Sequence, residues 1–179
     1  MGDAGNDLNE YTLTGGYCIG SASFVDSFSV NDQDTSARGI AFSKSGEKMF
    51  IVGGAGDDVN EYILTAAWDV SSATFVDSFS VNSQETDPGG IAFSKSGTKM
   101  FIVGQAGDDV NEYILTEAWD VSSATFVDSF SIKTGQTVSE TEPRGIWFDS
   151  SGKTMFITGI TADNVNVYKL TTAWDIETA

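Results

Sequence analysis

Apolar and polar residues along this chain alternate in short bursts rather than in helical stripes. Between residues 39 and 81 the bursts run Gly39-Ile-Ala-Phe-Ser, Lys48-Met-Phe-Ile-Val-Gly, Asp58-Val-Asn-Glu-Tyr-Ile-Leu and Thr74-Phe-Val-Asp-Ser-Phe-Ser-Val, rich in β-branched and aromatic residues. No stretch sustains a helical apolar period, so strands should dominate and helices should be scarce. Lys44-Ser-Gly-Glu closes the first two bursts into a short hairpin. Gly54-Ala-Gly-Asp separates that hairpin from a second pair, which is joined through Trp68-Asp-Val-Ser-Ser.

The four-strand pattern recurs. Residues 39–84 and 90–135 match at 39 of 46 positions, differing at 47, 54, 66, 81, 82, 83 and 84 of the first copy. A diverged copy starts at Gly145-Ile-Trp-Phe-Asp, and a partial copy from Ala4 to Arg38 lacks the front half. The repeats are therefore 1–38 (partial), 39–89, 90–144 and 145–179 (partial), with periods of 51 and then 55 residues. The four extra residues fall between Ser131 and Gly145, in a polar run able to loop out. Four antiparallel strands per ~50 residues predict an all-β chain, a β-propeller of four-stranded blades. About three blades fit in the chain, as one partial domain over residues 1–179. A β-sandwich of duplicated hairpins is the alternative. Because propellers close with about 4 to 8 blades, both ends of such an array should be open and apolar. The expected partner is a second copy, with the strand Ser23-Phe-Val-Asp-Ser-Phe-Ser-Val completing a shared blade and a dimer closing six blades. A fragment of a longer propeller is the competing reading.

The run Pro88-Gly-Gly-Ile-Ala-Phe-Ser-Lys-Ser-Gly-Thr-Lys-Met-Phe-Ile-Val-Gly resembles the YVTN-type propeller repeat, and Pro143-Arg-Gly-Ile-Trp-Phe-Asp-Ser-Ser-Gly-Lys-Thr-Met-Phe-Ile-Thr-Gly repeats it. The unit as a whole is similar to repeats of phage and marine viral or bacterial surface proteins. The resemblance implies a propeller and a virion or extracellular location. It implies no particular activity, since propellers host unrelated functions. Gly53 and Gly104 stand where the family has asparagine, and Ala37 replaces its first proline.

Composition narrows the chemistry. With 26 acidic against 9 basic residues the net charge is −17, which disfavours nucleic acid and anionic membranes as partners. No apolar run approaches the ~18 residues of a membrane span, so no membrane insertion is expected, and Met1-Gly2-Asp3-Ala4 lacks the features of a signal peptide. Cys18 is the single cysteine, so neither an internal disulfide nor a cysteine pair for zinc is available. The absence of histidine rules out Ser-His-Asp and Cys-His catalysis. A carboxylate pair would remain, but the acids recur in every repeat, whereas a catalytic site breaks repeat symmetry. No catalytic residue is assigned on this reading, and an enzyme is not expected.

Three recurrent features are candidate sites. Asx pairs precede each third strand, and Asp57, Asp58, Asp108, Asp109 and Asp163 could ligate calcium on these loops. The same residues would otherwise close Asx turns. Calcium is the one cofactor these residues suggest, and no other is expected. Trp68, Trp119 and Trp174 recur after the third strand, with Tyr17 in the first copy, either stacking on sugar rings or wedging blades together. Trp147 replaces Ala41 and Ala92 on the channel-lining strand, where it would narrow the channel or meet a partner. Finally, alternation places Phe75, Asp77 and Phe79 on one face. Asp26, Asp77 and Asp128 are then inward charges that guard an edge strand. The expected function is a non-enzymatic structural or binding module, partnered by itself, a glycan or a surface protein. A multivalent carbohydrate-binding propeller is the alternative.

Overall fold

A computed structural model describes residues 5–133, 140–161 and 163–179. Thirteen strands among them form four antiparallel sheets. The first holds β1 (Asp7–Leu13) and β2 (Ala22–Ser29). The second holds β3 (Ala37–Phe42), β4 (Lys48–Gly53), β5 (Asp58–Leu64) and β6 (Ala73–Ser80). The third holds β7 (Pro88–Phe93), β8 (Lys99–Gly104), β9 (Asp109–Leu115) and β10 (Ala124–Ser131). The fourth holds β11 (Pro143–Phe148), β12 (Thr154–Gly159) and β13 (Val165–Lys169). Within each sheet, sequence neighbours pair as a meander. Single 3₁₀ turns such as Val70–Ser72 and Val121–Ser123 are the only helical elements among the described residues. Asp69 and Asp120 cap these two turns by accepting the Ser71 and Ser122 N–H groups at 3.0 Å. Of the polar run between Ser131 and Gly145, residues 134–139 lie outside the described residues.

The apolar run Lys48-Met-Phe-Ile-Val does not alternate with polar residues because both faces of β4 are covered. Met49 and Ile51 pack toward the first sheet, with Leu8 and Tyr62. Phe50 and Val52 pack toward the third, with Met100 and Ile102. Phe101 and Val103 of β8 repeat the arrangement against Met155 and Ile157 of β12. The first strands of successive sheets, β3, β7 and β11, lie side by side, and glycine permits the approach. A Cβ on Gly39 would sit 3.0 Å from the Gly89 carbonyl oxygen, and one on Gly90 would sit 2.8 Å from that of Arg144.

The fourth strand of the repeat departs from simple alternation. Tyr62 pairs with Phe75 and Glu61 with Asp77, so Val76 is the extra residue of a β-bulge. The bulge turns Phe75 onto the Tyr62 side, where the ring centroids are 5.8 Å apart, while Phe79 packs toward the third sheet. The expectation that Phe75 and Phe79 share a face is thus corrected. Asp77 is exposed and accepts the Ser78 N–H at 2.8 Å, and Asp26 and Asp128 treat Ser27 and Ser129 alike at 2.8 and 2.7 Å.

Candidate functional site

The recurrent tryptophans hold an unusual backbone. Trp68, Trp119 and Trp174 have φ of 69°, 63° and 60°, a left-handed conformation rare for a bulky side chain. It is supported by hydrogen bonds from their N–H groups to the carbonyls of Gly46, Gly97 and Gly152 at 3.0, 2.9 and 2.8 Å. Each indole covers that glycine and meets a phenylalanine at the end of the sheet's first strand. The centroid distances are 5.3 Å to Phe42, 5.1 Å to Phe93 and 5.1 Å to Phe148. Trp119 and Trp174 also approach Phe50 and Phe101 of the preceding sheet at 6.2 and 6.3 Å. Trp147 is 61% exposed on the free face of the fourth sheet, 5.4 Å from Phe156. The fold brings Trp119, Trp147 and Trp174 together with Phe93 and Phe148 around a cleft of about 350 Å³. Trp68 lies outside that cleft.

The Asx pairs form turns. Asn6, Asp57, Asp108 and Asp163 all have φ near +50°, a region Asn and Asp tolerate. Asp57 accepts from Asn82 Nδ2 at 2.8 Å, and Asp108 pairs with Lys133. Asp58 and Asp109 accept from Asn60 and Asn111 at 2.8 Å. Burial pushes the Asp58 and Asp109 carboxyls above the usual range, against the lowering effect of those amide hydrogen bonds. Asp163 is exposed. Among the described residues, no three acidic or sulfur side chains converge on one point.

A third set of residues breaks the repeat. The Gly54 N–H donates to the Ser36 carbonyl at 3.2 Å, Gln105 to Asp87 at 3.2 Å and Ile160 to Glu142 at 3.1 Å. One backbone bond therefore marks equivalent places that hold unlike side chains. Two residues beyond Ser36, Asp87 and Glu142 come Arg38, Gly89 and Arg144, again unlike. These residues sit where β3, β7 and β11 begin and interact across sheets. Arg38 of the second sheet donates to Asp87 beside the third, and Gln105 Nε2 donates to Glu142 Oε2 at 3.0 Å. Gly54 leaves space for the first pair, since a Cβ there would fall 2.9 Å from both the guanidinium carbon and Asp87 Oδ1. The Arg38 and Asp87 side chains remain 23% and 31% exposed. Arg144 is half-buried and makes no ion pair with a described carboxylate.

A second tier of acids holds these loops. Asp34, Glu85 and Glu140 are buried and accept the N–H groups of Ser36, Asp87 and Glu142 at 2.6, 2.7 and 2.8 Å. Glu85 also accepts from Ala106 at 2.9 Å, and Glu140 from Thr161 at 3.1 Å. The Arg38–Asp87 and Gln105–Glu142 pairs thus lie at one end of the sheets, with Arg144 two residues beyond Glu142. Such a set can hold a small anionic, hydroxyl-rich molecule, with a carboxylate available to move protons. Reading the sequence missed this cluster because residues 36 and 38 precede the matched stretch. The signal that could have found it is the loss of repeat identity at 54, 87 and 144.

No protein-family model matches the chain, and no curated protein does. Solved structures do. A candidate 6-phosphogluconolactonase from Bacteroides fragilis aligns over 97% of this chain and 46% of its own, at 14% identity and a TM-score of 0.62. The periplasmic gluconolactonase of Pseudomonas aeruginosa aligns over 92% and 44%, at 14% identity and 0.58. The β-propeller domain of Swd1 from Myceliophteria thermophila aligns over 93% and 48%, at 13% identity and 0.53. The chain is all-β with a propeller fold, and it spans less than half the length of these proteins. The expectation of a non-enzymatic structural or binding module, with a carbohydrate-binding ring as its alternative, is corrected here. The fold is one carried by proteins named as lactonases, and it lends no support to a non-enzymatic role.

Proposed function

We propose that the four sheets are successive blades of a propeller and that the mouth formed by Arg38, Asp87, Gln105, Glu142 and Arg144 binds a small polyhydroxylated carboxylic acid and hydrolyses its lactone. The observation carrying this reading is the concentration of unlike side chains at one structurally equivalent place in otherwise repeated sheets. The names of the gluconolactonase and the candidate phosphogluconolactonase supply the substrate class.

In this scheme Arg144, which has no carboxylate partner among the described residues, holds the anionic or carbonyl end of the substrate. Glu142, oriented by Gln105, takes a proton from water as the water oxygen bonds to the lactone carbonyl carbon. The ring C–O bond then breaks, the proton passes to the departing alkoxide, and an open-chain hydroxy acid is released. With no histidine in the chain, a carboxylate takes the part of the base in this scheme.

The test is acid release from glucono-δ-lactone and its 6-phosphate, at a weakly acidic pH where spontaneous opening is slow. The chain should exceed the spontaneous rate. Glu142→Gln should lower kcat about 10²-fold, the lower end of a general-base contribution. Arg144→Ala should raise KM, and both variants should melt with the parent. A parent rate equal to the spontaneous one, or variants as active as the parent, would overturn the proposal.

A further inference from the structure

The second and third blades are tied to their successors by one repeated device. Glu61 Oε2 accepts the Val121 N–H at 2.9 Å, and Oε1 accepts the Lys48 ammonium at 2.6 Å. The same ammonium donates to the Trp119 carbonyl at 2.7 Å. One blade on, Glu112 accepts the Ile176 N–H at 3.2 Å and the Lys99 ammonium at 2.6 Å, and Lys99 donates to the Trp174 carbonyl at 2.6 Å.

The first sheet offers the acceptors of this device without its cation. Glu10 Oε2 accepts the Val70 N–H at 3.0 Å. Among the described residues, however, no ammonium reaches Glu10 or the Trp68 carbonyl. Among the described residues the edge of β1 away from β2 is also unpaired, where β5 and β9 are paired with β4 and β8. An open sheet edge is a ready template for another strand. Beside it lies a cleft of about 310 Å³ lined by Glu10, Tyr11, Ile40, Phe42 and Trp68. Ile40 is 39% exposed there, whereas Ile91, its equivalent beneath a full preceding sheet, is 6% exposed. The cleft has a strand edge, an apolar floor and a negative group, each in the place that the second strand of an inner hairpin fills in the next two sheets.

We propose that this cleft is a docking site for a β-hairpin of the chain's own repeat type, carrying lysine at the head of its second strand. That strand pairs with β1, its phenylalanine covers Trp68 as Phe50 covers Trp119, and its ammonium closes the contact with Glu10 and the Trp68 carbonyl. The hairpin β11–β12 of a second copy is a poor occupant, because Thr154 stands where Lys48 and Lys99 stand.

The full chain is titrated with a synthetic peptide of the sequence 88–104, which contains Lys99, following tryptophan fluorescence and the heat of binding. One peptide should bind per chain, with an indole blue shift. Glu10→Gln in the chain, or Lys99→Thr in the peptide, should weaken binding at least ten-fold. Because a free hairpin can fail to fold, a second form carries the same hairpin fused ahead of Gly2. It should melt several degrees higher and slow amide exchange in β1, and Glu10→Gln should reverse much of the gain. A fused chain with unchanged melting and unchanged β1 exchange, or binding indifferent to Glu10 and Lys99, would overturn the proposal. None of these readouts depends on lactone hydrolysis.

Discussion

Asp58 and Asp109 show how one carboxylate can oppose the fold that contains it. Burial raises both carboxyls. The Asn60 and Asn111 amides pull them down, and neighbouring acids, Asp34 and Asp57 for the first, Glu85 and Asp108 for the second, push them up again. A group whose pKa is higher folded than unfolded binds its proton more tightly in the native state. Its contribution to stability is therefore complete below the unfolded value near 3.8 and is lost as pH rises through the folded value. At neutral pH both residues carry that penalty. The fourth sheet already has Asn164 in this place. Asp58→Asn and Asp109→Asn keep the oxygen that accepts from Asn60 or Asn111 while removing the charge. Each should raise the melting temperature at neutral pH, with the gain fading as the pH falls toward about 3, where the parent is protonated as well. Melts at the two pH values check this, and a gain that persists in acid would assign the effect to packing.

At the scale of a single element, the inner hairpin turn depends on its surroundings as much as on its own sequence. Gly46 and Gly97 sit in the same turn with φ of 76° and 74°, and a Cβ on either would penetrate the indole above it. Alanine costs about 1–2 kcal/mol in this backbone region alone. Trp119 is hemmed in by Phe50 and Phe93, whereas Trp68 is 54% exposed and can swing aside. Gly97→Ala should therefore destabilise by about 2–4 kcal/mol and Gly46→Ala by about half that. At about 2–4 °C per kcal/mol for a chain of this length, two thermal melts separate the pair. The strands themselves were legible in the sequence because each is a short apolar run bounded by its own turn residues, and repetition displayed every boundary more than once. The bulge at Val76 was not legible. It goes with the hydrogen bond that Asp77 accepts from the Ser78 N–H, which Phe-Val-Asp-Ser-Phe does not reveal. The left-handed tryptophans were hidden for a similar reason, since their support comes from a glycine more than twenty residues away. The cluster where β3, β7 and β11 begin needed a relation between repeats. Arg38 and Asp87 meet only because adjacent sheets offset their loops by one repeat, and each alone reads as a solvated loop charge.

Across the whole molecule, stability passes from each sheet to its neighbour. Three apolar clusters span the junctions between sheets one and two, two and three, and three and four. Each junction is also bolted by a glutamate that accepts an N–H from the next sheet: Glu10 from Val70, Glu61 from Val121 and Glu112 from Ile176. Such an array behaves as a one-dimensional chain of units, in which damage at one junction is felt mainly by the sheets it joins. Glu112 is 3% exposed, so Glu112→Gln leaves the Lys99 ammonium facing a neutral amide in a dry junction. Breaking a buried pair in this way costs about 3–5 kcal/mol. Because the Lys99 side chain is 27% exposed and can reach water, a loss of about 2–3 kcal/mol is expected. Hydrogen exchange should locate that loss. Amides of β11, β12 and β13 should lose protection in Glu112→Gln while those of β3 to β6 keep theirs, whereas Glu10→Gln should expose only β1 and β2. Uniform loss across all four sheets in either variant would instead mean that the chain unfolds as a single cooperative unit, with the junctions subordinate to the whole.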